Sequence, residues 1–183
     1  GKIKSLTIAA HVTAGCRSEP IVTCLKYLGM KDLANLPVIQ LKKITKVLLN
    51  GDWIGGISSN TPQFVNRLRL IRRNGLINPF VSIYWNIAKM ELCISTEPGR
   101  ITRPVFIAQQ KEIKIGEPPY SWSKLVAGDR EDFNFLFDGF IPPEDALEHK
   151  TSKQTLDEIY QHLQQTQGCI EYIDAEEANG CYI

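Results

Sequence analysis

LLNGDWIGG (48–56), RLRLIRRNGLINPFVSI (67–83) and CISTEPGRITRPVFI (93–107) are the stretches of this 183-residue chain that decide its fold. Asn50-Gly51-Asp52 separates two β-rich runs, 47–49 and 53–57. Asn and Gly both accept the positive φ of a type I′ turn, so a hairpin is predicted there. Thr61 then serves as a helix cap with Pro62 at the first position, Phe64, Val65, Leu68 and Ile71 form an apolar face, and Asn74-Gly75 stops the helix. Runs 81–87 and 90–95 flank Ala88-Lys89 and predict a second hairpin, and Pro98-Gly99 turns the chain into a strand over 101–108. Pro104 has no amide to donate, which assigns it to a sheet edge or a bulge. The unit reads β-β-α-β-β-β, an α+β arrangement.

Upstream, residues 3–12 read as a strand and AGCRSEP (14–20) as a turn. Ser18 caps a helix with Pro20 in its first turn, Ile21, Leu25 and Leu28 recur at helical spacing, and Gly29 ends it. Residues 30–43 read as a connector with a short helical turn near 38–42. Downstream, 111–115 reads as a short strand, Pro118-Pro119 as a breaker, 122–126 as a helical turn, and the acidic, aromatic stretch 128–148 as a surface loop. Thr151 and Gln154 have capping-box spacing, Leu156, Ile159, Tyr160 and Leu163 form a helical stripe ended by Gly168, and 169–173 reads as a strand.

Hydrophobic residues at 43% and charged residues at 22% are ordinary for a soluble globular protein of one domain or two small ones. A net charge of +1 gives no global electrostatic argument for nucleic acid, so any such argument must be local. No apolar run approaches the roughly 20 residues needed to cross a bilayer, and the start is too quickly interrupted to read as a signal peptide. Five cysteines, Cys16, Cys24, Cys93, Cys169 and Cys181, and three dispersed histidines show no zinc-ligand spacing. Reduced intracellular thiols packed as small hydrophobes are the expectation.

Arg67, Arg69, Arg72 and Arg73 concentrate in the later turns of the predicted helix, and 69, 72 and 73 share a side of the helical wheel. A basic stripe of this kind can neutralise phosphates. With a net charge of only +1, pairing with acidic neighbours, cover of apolar surface or contact with another subunit outweighs that reading. Arg100 and Arg103 bracket a turn and strand, where bracing through carbonyl hydrogen bonds outweighs substrate binding. FLFDGF (135–140) holds a single carboxylate, Asp138, where a magnesium loop needs several converging ones, and is rejected as a metal site. Asp174, Glu176 and Glu177 lie just past a strand, and a solvated turn is favoured over an ion or acid–base site. Phosphate-loop, dinucleotide, serine-elbow and zinc-protease motifs are all absent, so no catalytic, cofactor-binding or metal residue is assigned.

Taken in order, these blocks resemble the second-largest subunit of multisubunit DNA-directed RNA polymerases. In that family a strand pair with Asn-Gly precedes a helix reading like LRxLRRxGxINP and a stretch like SIxxxIxxxELxIxTDxGRxxRPLFI. Residues 5–28, 47–57, 65–79 and 82–107 carry the likeness, joined by SWSKL (121–125) and IEYIDAEE (170–177). Together they span about three quarters of the chain in collinear order, which is far more specific than a single motif. The resemblance implies residues 1–45 as a link from the fork-like region, 46–108 as an external-1-like domain and 109–183 as an external-2-like domain. It implies a nucleotidyltransferase complex with magnesium held elsewhere and no active site in this segment. Partners would be other polymerase subunits and transcription factors, with DNA and RNA in the whole complex and no membrane. The chain departs from the family in two respects, the first being that between SWSKL and IEYIDAEE about forty residues, 126–168, replace a short connection. The acidic run also ends early, as ANGCYI. These departures favour a divergent lineage, a large DNA virus ahead of a cellular source. Localisation is then intracellular, nuclear if cellular, and at a cytoplasmic replication site or in the virion if viral. The alternative is a free-standing nucleic-acid-binding module acting through Arg67, Arg69, Arg72 and Arg73.

Overall fold

The structure, a computed structural model, describes residues 8–58, 60–107, 159–161, 163, 164, 168 and 170–180. The expected strand 111–115, the loop 128–148, FLFDGF and most of the insertion 126–168 lie outside the described residues.

The Asn50-Gly51 hairpin forms as predicted. Strands β3 (Thr45–Leu49) and β4 (Asp52–Ile57) pair antiparallel around Asn50 at φ 52° and Gly51 at φ 90°. The side chain of Asn50 then pins the turn to a distant loop. Its amide donates to Thr96 Oγ1 at 2.9 Å and its Oδ1 accepts from the Thr96 N–H at 2.8 Å. A register shift between Val47 and Leu48 leaves Ile54 as an extra residue in β4, a bulge that bends the strand.

Helix α2 (Thr61–Arg73) follows, one residue off the expected cap. Asn60 is the N-cap, in the left-handed region at φ 39°, and Thr61 is already helical. The Thr61 hydroxyl lies 3.0 Å from that of Thr45 on β3, so it ties helix to sheet instead of capping. Strands β5 (Ser82–Asn86) and β6 (Glu91–Ser95) form the second hairpin, and β3 pairs parallel with β6. That parallel pairing places the first hairpin beside the second.

Upstream, helix α1 (Glu19–Tyr27) forms with Ser18 as its N-cap residue, although no side-chain cap bond is made. The expected long strand 3–12 is, among described residues, only β1 (His11–Val12). The expected connector 30–43 holds an edge strand, β2 (Lys31–Asp32), antiparallel to β4, and two short 3-10 turns, Leu33–Asn35 and Val38–Gln40. The five-stranded sheet runs β2-β4-β3-β6-β5. Ile21, Cys24 and Leu25 of α1 and Phe64, Val65, Leu68 and Ile71 of α2 bury against Val47, Leu49, Ile83, Leu92 and Ile94 of this sheet. Each such side chain taken from water contributes about 1.5–3 kcal/mol, which makes this the main core.

Strand β7 (Ile101–Phe106) leaves that sheet. It is the middle strand of a second sheet, between β1 and β8 (Ile170–Asp174). Pro104 therefore sits on a central strand, yet β1 reaches only Ile101 and Thr102, so β8 is its neighbour at that point. The β7–β8 pairing, Thr102↔Asp174 through Phe106↔Ile170, crosses the boundary expected at 108/109. The expected turn after the last strand is a short helix, α3 (Ala175–Asn179), with the Asp174 side chain as its cap.

Gly55 of the WIGG sequence is required by the β2 edge, and Gly56 by the residues before β3. A Cβ on Gly55 would collide with the Lys31 carbonyl oxygen, and one on Gly56 with the Ile44 side chain. Backbone cannot yield as a flexible side chain can, so Gly55→Ala is expected to destabilise the chain by about 1–3 kcal/mol. Urea unfolding of the full chain measures this, and a midpoint unchanged from wild type would contradict the packing account.

Candidate functional site

The arginine-rich end of α2 is where the two sheets and the last helix meet. Phe64, Leu68, Ile71 and Arg72 stand at i, i+4, i+7 and i+8, so Arg72 lies on the apolar stripe of α2 and not on its solvent face. Its side chain is 1% exposed. The guanidinium is held by four hydrogen bonds. Nη1 donates to the Val81 carbonyl and to Glu177 Oε2, both at 2.8 Å. Nη2 donates to Glu177 Oε1 at 2.7 Å and to Glu171 Oε2 at 2.8 Å. Nε has no partner among the described residues.

Arg73 grips the same Glu171 carboxylate with both of its forks, Nε to Oε2 and Nη2 to Oε1, each at 3.0 Å. Glu171 is therefore shared between two neighbouring arginines. Burial alone would raise its pKa, but the Arg73 hydrogen bonds and the two guanidinium charges outweigh burial and pull it down to about 2. Arg72 is held charged in the same way: burial opposes the charge, and Glu177 and Glu171 overcome that.

Glu177 reaches this point because α3 lies along β5, the edge of the five-stranded sheet. Its Oε2 also accepts from the Ile83 N–H of β5 at 3.3 Å, so one carboxylate covers an edge amide and neutralises a buried cation. Asp174 fixes where α3 starts. Its Oδ1 accepts from the Glu177 N–H at 2.9 Å and its Oδ2 from Arg100 Nη1 at 3.0 Å. Arg100 completes the brace by donating Nε to the Glu97 carbonyl at 3.0 Å and Nη2 to the Phe80 carbonyl at 2.7 Å.

The structure thus brings Arg72, Arg73 and Arg100 into one junction with Glu171, Asp174 and Glu177. Arg67 lies elsewhere on the helix, 4.2 Å from the centre of the Tyr160 ring. Arg69 is half-buried and Arg103 exposed, and neither is part of the junction. The helix end is tied down further by Asn74, whose amide donates to the Leu70 and Leu163 carbonyls at 2.8 Å, and by the Gly168 N–H donating to the Arg73 carbonyl at 3.2 Å.

One reading of the acidic run is corrected. Asp174 and Glu177 are 6% and 2% exposed, not a solvated turn, because they are the counter-charges of the half-buried Arg100 and the buried Arg72; Glu176 alone of the three faces water. Sequence reasoning passed over Glu171 as a strand residue. The signal that could have located the junction was the arginine at i+4 from Leu68, since a cation on an apolar stripe needs a carboxylate from elsewhere. Among the described residues no group of three or more His, Cys, Asp or Glu is arranged to hold a metal ion. The chemistry of this arrangement is cohesion: charges from three segments neutralise one another away from water.

Residues 47–109 match the family model for RNA polymerase Rpb2, domain 4. The chain is 32% identical over 152 residues to DNA-directed RNA polymerase III subunit RPC2 of Saccharomyces cerevisiae, an alignment covering 83% of this chain and 13% of that protein. It is 32% identical over 184 residues to DNA-directed RNA polymerase II subunit RPB2 of Eremothecium gossypii, covering 97% of this chain and 14% of that protein. The RPB2 of Encephalitozoon cuniculi is 30% identical over 152 residues, covering 83% and 13% respectively. The chain thus spans only 13–14% of the length of these curated relatives.

Removing one partner of a buried ion pair strands the other, so Arg72→Met is expected to cost about 3–5 kcal/mol in urea unfolding of the full chain. Arg72→Met combined with Glu177→Met should recover part of that loss, because fewer uncompensated charges remain buried. A double variant as unstable as the sum of the singles would contradict the coupling. A pH series checks Glu171 separately. Its lowered pKa means the stabilisation is complete above its ordinary value of 4.5 and is lost as pH falls towards about 2. Glu171→Gln should flatten the stability profile across that window and leave the profile above it parallel to wild type.

Proposed function

Residues 47–109 belong to the RNA polymerase Rpb2 domain 4 family and the chain is a segment homologous to the second-largest subunits of DNA-directed RNA polymerases; from that premise we propose that its role is architectural. It acts as a rigid α+β block that supports transcription by subunit assembly and by offering surface to transcription factors. Residues 1–45 are the link from the fork-like region, 46–108 the first external domain and 109–183 the second, with β8 and α3 docked back onto the first.

The observation that carries this reading is the junction at Arg72. Three of the basic residues of α2 and of the Gly99-Arg100 turn, Arg72, Arg73 and Arg100, are committed to carboxylates within the chain. Charge spent on internal pairs is not available to displace counterions from a nucleic acid backbone. Contact with DNA and RNA, nucleotide addition and the magnesium that serves it belong in this proposal to the whole polymerase. Among the described residues no helix is long and apolar enough to cross a membrane. The departures from the family pattern after Leu125 support a divergent lineage, that of a large DNA virus, working at a cytoplasmic replication site or in the virion; a cellular source would place it in the nucleus.

The isolated chain, given nucleoside triphosphates, magnesium and a primed template, is expected to add no nucleotide. Its binding to duplex DNA, followed by fluorescence anisotropy across a salt series, should stay in the non-specific range of about 10⁻⁴–10⁻⁶ M near physiological salt. Nucleotide addition by the chain alone would overturn the proposal. So would tight binding with a steep salt slope that is lost on charge reversal at Arg67 and Arg69.

A further inference from the structure

Strands β3 and β6 run parallel, and at their carboxyl ends lies an open cleft of about 640 Å³ between the Asn50-Gly51 turn, the Gly99-Arg100 turn and the start of α3. Its wall is mostly apolar, with Leu48 and Ile101, the latter 51% exposed. Among the described residues its only lining cation is Arg100, and that guanidinium is already matched by Asp174 and by the Glu97 and Phe80 carbonyls. Two more carboxylates, Glu97 and Glu176, stand on the cleft and are exposed. Neither is in an ion pair among the described residues. The cleft is therefore an apolar groove whose uncompensated charge is negative.

We propose that this cleft docks a segment of another polymerase subunit in which a Lys or Arg side chain stands beside an aliphatic one. This rests on the architectural reading above. The aliphatic side chain would cover Leu48 and Ile101, and the cation would sit between Glu97 and Glu176. Rim charges of this kind steer and select a partner more than they tighten it, while the apolar wall supplies the burial. A nucleic acid is disfavoured by the same two carboxylates, which would face its phosphates at close range.

Cys93 lies on the cleft and is partly exposed, so it reports directly on occupancy. Benzophenone-maleimide attached to Cys93 of the full-length subunit, in the assembled polymerase, is photo-activated and the crosslinked peptide sequenced by mass spectrometry. The expected product is a peptide of a different subunit with Lys or Arg next to an aliphatic residue. Glu97→Lys with Glu176→Lys should lower its yield about tenfold, since two rim pairs are lost and replaced by repulsion. Footprinting of unlabelled Cys93 with N-ethylmaleimide guards against the label itself blocking the groove, and assembly should slow alkylation there. A crosslink confined to the same subunit overturns the docking proposal and leaves the architectural role standing. So does a yield indifferent to charge reversal, or alkylation equally fast in the free chain and the assembly. Failure of the subunit to co-purify with other polymerase subunits overturns both.

Discussion

A guanidinium withdrawn from water must be met by carboxylates, and that requirement at Arg72 governs the rest of this structure. The side chain is 1% exposed, on the apolar stripe of α2, where an uncompensated charge would cost several kcal/mol. Its counter-charges are distant in sequence. Glu171 and Glu177 lie 99 and 105 residues away, so the chain after β7 must return to the end of α2. The register of β8 follows. With Glu171 opposite Val105 and Asp174 opposite Thr102, Glu171 points to the arginines and Asp174 is placed to cap α3. A slip of one residue would turn Glu171 to the other face of the sheet.

The same junction resolves the contrast between an arginine-rich helix and a chain of net charge +1. Arg72, Arg73 and Arg100 are balanced by Glu171, Glu177 and Asp174 within one cluster. A buried cluster of this kind contributes less to net stability than its short distances suggest, because desolvating six charges offsets much of the attraction. What the structure shows is that, in the seat taken by β8 and α3, each of the six charges has a partner in the junction. The apolar core under α1 and α2 supplies the bulk of the stabilisation, and the junction decides where the last segment sits on it.

Much of the local structure was legible because short-range chemistry decides it. Asn50-Gly51 specifies a turn with positive φ, and it formed where expected. The α2 stripe, the Ala88-Lys89 hairpin and the Gly29 and Asn74-Gly75 stops are likewise decided within a few residues of themselves. The misses share a cause. Thr61 is bonded to Thr45 on a neighbouring strand and so yields the cap to Asn60. Lys31–Asp32 becomes a strand only because Gly55 lets β4 approach its backbone closely. Asp174 and Glu177 looked solvated because nothing near them in sequence is basic.

The sequence by itself determined the helix, the two hairpins and the following strand between residues 45 and 106, and it carried the collinear blocks that mark kinship with a polymerase subunit. Periodicity, turn chemistry and motif order are local or linear properties, readable without a third dimension. The tertiary structure alone decided the parallel pairing of β3 with β6, the departure of β7 to a second sheet and the partners of the arginines. Those depend on which charges and strand edges are left unmet once each local element has formed, and that can be settled only by what the rest of the chain brings to them.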